Sequence, residues 1–134
     1  MSTAGGDEIP DEAELWRRVP PDRVKASDAD PTLPAPQGNC FRARAGEDEG
    51  ISVDLAAVHE AAGEGPEVMV AAHDPEWGVL LVTARQCRDL KLEVVSDPFD
   101  GNPAHALIKP PPQKTPSRQL SKVATWVVTP RWPR

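Results

Sequence analysis

The side chains able to do acid–base or ligand chemistry are few and widely spaced. Histidine occurs at positions 59, 73 and 105 and cysteine at 40 and 87. No two of these five lie within four residues of each other, so a zinc site would need assembly by the fold, and no metal site is expected. His105 stands between Ala104 and Ala106 in an apolar stretch. Small neighbours leave room for approach, so its imidazole is either a general acid or base or a core histidine satisfied by one hydrogen bond. His59 reads as a helix-surface residue and His73 as a turn residue. Ser52 lies between Ile51 and Val53 and points away from both. Arg17 and Arg18 follow Trp16; if that segment is a strand, one faces the core and needs a carboxylate or an anionic ligand, while the other is exposed. Arg17 on a first strand, Ser52 on a second and His105 on a later one could line a pocket for a phosphate-bearing molecule.

The layout of Arg17, Ser52 and His105 resembles ADP-ribosyltransferase-like folds, which hold NAD between short strands. That resemblance implies a nucleotide- or RNA-handling enzyme. Such folds supply an acidic catalytic residue late in the chain, and here no acid follows Asp100. The chain also has no P-loop, no G-x-G-x-x-G, no H-E-x-x-H and no G-x-S-x-G, so no cofactor is expected. Asp97-Pro98 and Asp100-Gly101-Asn102-Pro103 form an Asx-rich stretch that reads as a turn rather than a calcium loop.

Charge is distributed unevenly. Residues 1–100 hold all 21 acidic groups and nine basic ones, whereas residues 101–134 hold six basic groups and no acid, for a net charge of −6. A basic segment of this kind packs across its own acidic body or reaches a partner. Lys109, Lys114, Arg118, Lys122 and Trp132 are the partner-binding candidates. The overall acidity disfavours a protein devoted to gripping phosphate backbones, so a protein partner is expected before a nucleic acid. With no apolar run of membrane-spanning length and no cysteine pair, a reduced cytoplasmic protein is expected, and Cys40 and Cys87 as a disulfide is the alternative.

The elements that must position these groups follow from pattern and punctuation. Residues 1–14, acidic and glycine-containing, read as a disordered lead-in. Residues 15–19 are strand or helix, stopped by Pro20-Pro21, and 21–25 make one helical turn. Residues 28–39 form an extended loop. Strands are expected at 40–43 and 50–53 as a hairpin, then a helix capped by Asp54 and stopped by Gly63. A short helix follows at 66–72, then a buried strand at 77–83, a helical stretch at 84–90 and a strand at 92–95. Another strand spans 104–108. A proline-rich exposed arm covers 109–116, a helix capped by Ser117 runs to 124, a short strand covers 126–128 and a tail 130–134. The fold class is α+β: one domain over 15–129, with a small mixed sheet of about four to six strands and short helices packed on it.

Segments 15–24 and 41–53, Gly78-Val79, Val82 to Ala84, Cys87 to Leu90, Asp97-Pro98 and 103–108 together resemble a set of small bacterial proteins with no assigned activity. That resemblance implies a bacterial cytosolic protein and carries over no catalytic residue. The expectation for function is a non-enzymatic interaction module, an accessory or immunity-type component of a bacterial operon, with the nucleotide- or RNA-handling enzyme as the alternative.

Overall fold

Along the first strand, Leu15, Arg17 and Val19 alternate with Trp16 and Arg18, and this period of two divides the residues between the two faces of one sheet. In the computed structural model, which describes residues 9–71 and 76–133, that strand is β1 (Glu14–Val19). The others are β2 (Val24–Ala26), β3 (Pro34–Pro36), β4 (Ile51–Leu55), β5 (Gly78–Thr83), β6 (Glu93–Ser96), β7 (His105–Lys109) and β8 (Thr125–Val128). Helices α1 (Ala56–Ala61), α2 (Ala84–Asp89) and α3 (Lys114–Val123) join them, with 3₁₀ turns at Pro21–Arg23 and Pro66–Met69. The α+β class is as expected.

Six strands form one sheet in the order β6-β7-β4-β1-β5-β8, and β2 pairs with β3 in a separate ribbon. Every described pairing is antiparallel, so the sheet is not mixed. β5 and β6 do run in the same direction, but β1, β4 and β7 stand between them. The short α2 therefore carries the chain across the sheet instead of joining parallel neighbours, which need a longer connection.

The core face carries Leu15, Val19, Ile51, Val53, Leu80, Val82, Ala106 and Ile108, covered by Cys40, Phe41, Cys87 and Leu120. The opposite face carries a smaller apolar cluster of Trp16, Ala56 and Val79, flanked by Met69, Leu81 and Val128. Both cysteines are free and buried; burial pushes their thiols up to about 11 at Cys40 and about 12 at Cys87. They remain thiols, and the disulfide alternative is not realised.

Several local expectations change. Residues 9–14, read as part of the lead-in, are packed: Ile9 is buried, and the carbonyls of Asp11 and Ala13 accept the first amides of α2 at 2.8 and 3.0 Å. Those amides have no partner within the helix, so the preceding segment becomes their cap alongside the Thr83–Gln86 capping box. Residues 40–43 form a turn, not a strand, and the ribbon lies earlier. β3 falls in the stretch read as loop, and β2 begins at Val24, where the helical turn expected over 21–25 ends as a 3₁₀ turn at Arg23. Asp54 remains within β4, so α1 begins without a side-chain cap. The proline arm is shorter than expected: Lys109 ends β7, Pro112 is buried and α3 starts at Lys114. Pro116 fits the first turn of α3 because no intrahelical acceptor awaits its missing N–H there. Ser117 is consequently not a cap. Its buried hydroxyl donates to the Gly38 carbonyl at 2.7 Å and accepts the Phe41 amide at 3.1 Å. Among the described residues, no helix is long and apolar enough to cross a membrane.

Candidate functional site

The sheet separates the three residues read as one pocket. Arg17 projects to the core face and is fully buried. Its Nε donates to Cys40 O at 3.2 Å, Nη1 to Glu47 Oε2 at 2.7 Å and Ser52 O at 2.9 Å, and Nη2 to Glu47 Oε1 and Arg42 O, both at 3.1 Å. All five guanidinium donors are thus satisfied by this chain, leaving none for a ligand. Glu47 also accepts the Arg44 and Ser52 amides, each at 2.7 Å. Burial alone would raise its carboxyl, but the bond and charge of Arg17 with these two amides bring it down to about 2. Arg17 is therefore a structural tie between β1 and the loop at 40–47, and the trio resembling an ADP-ribosyltransferase-like layout does not assemble.

Ser52 and His105 do meet, on the other face. β4 and β7 pair Ser52 with Leu107 and Asp54 with His105, so His105 is the diagonal neighbour of Ser52. Its Nε2 lies 3.0 Å from Ser52 Oγ. The Nδ1–H faces Asp97 O at 3.0 Å and Asp97 Oδ2 at 3.1 Å. A backbone carbonyl only accepts, so Nδ1 carries a ring proton, and in that tautomer Nε2 faces the serine hydroxyl as an acceptor. Phe99 packs edge-on against the ring at 5.1 Å.

A second histidine cluster adjoins the first. His59 on α1 places Nε2 2.7 Å from Asp54 Oδ2 and Nδ1 2.8 Å from Glu64 Oε1. Glu64 reaches back because Gly63, at φ 78°, turns the chain sharply after the helix. Burial opposes the His59 charge, yet the bonds to Glu64 and Asp54 outweigh it and raise the imidazole above its ordinary value. With carboxylates on both nitrogens, the charged form of His59 is favoured. It stacks on Trp16 at 5.5 Å and 13°. Asp54 is braced further by the Asn102 amide at 3.0 Å. His59 is thus not a free helix-surface residue.

Ser52, Asp54, His59, Glu64, Asn102 and His105 line one cleft of about 600 Å³, a size suited to a small molecule. Arg18 and Arg44 stand in its wall beside Ser52, His59 and His105, and Val58, Val68, Met69 and Phe99 provide an apolar side. Burial and the neighbouring Arg17 charge lower Arg44 to about 10, which leaves it cationic at neutral pH. The Asx-rich stretch is a turn as read, closed by the Phe99–Asn102 bridge with Gly101 at φ 93°. Among the described residues no cluster of three or more His, Cys, Asp or Glu side chains is arranged to hold a metal ion, and His73 lies outside them.

The partner-binding candidates fall elsewhere. Lys114, Arg118 and Lys122 are exposed along one side of α3, and Lys109 is half-buried at the end of β7. α3 meets the body through Ser117, Leu120 and Ser121. Trp132 is half-buried and donates its indole N–H to Pro31 O at 3.2 Å, anchoring the tail to its own chain.

The sequence does not single out Arg18, Arg44, His59 or Asp97 as site residues. Alternation distributes Arg17 and Arg18 to opposite faces but does not say which face is the core, and Asp97 was absorbed into a turn. Compared with protein-family models, curated proteins and solved structures, the chain finds no match, so the site is read from its own residues.

Proposed function

We propose that this protein is a small-molecule binding module whose cleft takes an anionic, phosphate-bearing ligand such as a mononucleotide. The convergence of Arg18 and Arg44 in one cleft carries the reading. Guanidinium forks match phosphate oxygens in a way that a lysine point charge does not, and the Val68, Met69 and Phe99 wall supplies a surface for the rest of the ligand. Relative to the sequence expectation, Arg18 and Arg44 take the place given to Arg17. Two buried, unpaired thiols suit a reducing cytoplasm. Calorimetric titration with adenosine monophosphate and with inorganic phosphate tests the reading. Arg18→Ala/Arg44→Ala should weaken binding at least about tenfold, the equivalent of 1.4 kcal/mol. Absence of binding by the wild-type chain to either probe sinks it.

A second reading is favoured by the cationic line on α3. Lys114, Arg118 and Lys122, spaced four residues apart, share one exposed side, and among the described residues none makes an ion pair. An acidic protein surface complements such a line, which fits an accessory or immunity-type component of a bacterial operon. Co-expression with the products of adjacent genes should give a complex that Lys114→Glu/Arg118→Glu/Lys122→Glu dissolves. No complex in any pairing removes this reading.

A further inference from the structure

We propose that Ser52 is a nucleophile activated by His105 and positioned through Asp97, giving the cleft a serine-dependent hydrolase activity toward small esters. The three groups come from three elements: β4, β7 and the residue that follows β6. Their atoms form a chain from Ser52 Oγ to His105 Nε2 at 3.0 Å, and from Nδ1 to Asp97 Oδ2 at 3.1 Å. Both distances lie within the reach required of a nucleophile, its base and the group that orients the base. Here the Asp97 carbonyl and carboxylate both accept from Nδ1, so Nε2 is left as the proton acceptor facing Oγ. Asp97 is itself held by the ladder, its amide donating to His105 O at 2.9 Å. Ser52 and His105 both open onto the cleft, so a substrate has access to them.

In the reaction, Ser52 Oγ forms a bond to the ester carbonyl carbon while its proton passes to His105 Nε2. The carbonyl π pair moves onto oxygen, and the Arg18 and Arg44 charges lining the cleft favour the resulting oxyanion. Collapse breaks the bond to the alcohol oxygen, which leaves with the proton from Nε2. Water then attacks the acyl-serine, gives its proton to Nε2, and the departing Oγ recovers it. One water is consumed and an acid and an alcohol are released, with no change of oxidation state.

Treatment of the full chain with diisopropyl fluorophosphate, followed by intact-mass measurement and peptide mapping, tests the inference. A P–O bond to Ser52 Oγ should form with loss of fluoride, giving one adduct per chain, absent in Ser52→Ala. His105→Gln should slow labelling at least about a hundredfold, within the usual range for a general base. Asp97→Asn should slow it about tenfold or more and change the pH profile of labelling, a readout that a merely structural role leaves unmoved. In the wild type, labelling should fall in acid, as activation by a general base requires. If a variant fails to fold, the mapped adduct and its pH dependence in the wild-type chain decide alone. No adduct at Ser52, or an unchanged rate in folded His105→Gln, overturns the proposal. The inference shares the cleft with the phosphate-binding reading, but labelling is measured with no anion present, so each can fail without the other.

Discussion

The two faces of the sheet both pair a cation with carboxylate, and they do so to opposite ends. On the core face, Arg17 and Glu47 saturate one another and the surrounding backbone: five donors meet five bonds, and Arg17 has no exposed surface. On the cleft face, His59 lies between Asp54 and Glu64, with Glu64 partly open to solvent, and His105 keeps one nitrogen for a serine hydroxyl. A buried guanidinium with every donor used can only hold the chain together. A half-open cluster with a directed lone pair can bind and react. Burial and hydrogen-bond saturation, not residue type, distinguish Arg17 from His105 here.

The largest test of that contrast is removal of Glu47. Glu47→Ala leaves the Arg17 guanidinium buried without its carboxylate and should cost about 3–5 kcal/mol in urea unfolding. Arg17→Met/Glu47→Leu should restore most of the loss, since an apolar pair of similar volume escapes desolvation. The pair also has a pH signature. Glu47 is depressed to about 2 in the folded chain, so its contribution is present above the ordinary carboxyl value and is lost as pH falls toward 2. By the size of that depression, the acid limb should carry about 3 kcal/mol. A Glu47→Gln variant with the same acid limb as wild type would break the assignment.

The cleft face should respond less, and with the opposite sign. His59 is raised in the folded chain. Its pairing therefore stabilises most below the ordinary histidine value and is lost as pH rises through the elevated one. His59→Gln should cost about 1 kcal/mol or less in mildly acidic buffer and less still in alkaline buffer, measured by thermal unfolding of both chains across pH. A cost that grows as pH rises would show that the charged form of His59 is not favoured.

Much of this framework was readable without coordinates, though not the site. The apolar stretch through Val79 to Val82 marks β5, and Ala104 to Ile108 marks β7, because a buried strand requires such residues at its pairing positions. Gly63 marks the end of α1 through a backbone angle that other residues resist. By contrast, residues 9–13 contain nothing apolar enough to predict packing beyond Ile9. They are ordered by the unpaired amides of α2, about 70 residues further along the chain. Asp97 looks like any turn aspartate until the β6–β7 register sets it beside His105.

By its residues alone, this chain specifies an α+β protein with an acidic body and a basic final segment, an arginine pair split across a strand, and a serine and a histidine on strands. Local preferences and the two-residue period suffice for that much, since both act over a few neighbours. The tertiary structure decided which arginine was consumed by Glu47 and which lined the cleft. It also joined Ser52, Asp97 and His105 into one cluster. Those outcomes depend on strand order and register, which bring together residues as much as 53 positions apart and which no local pattern encodes.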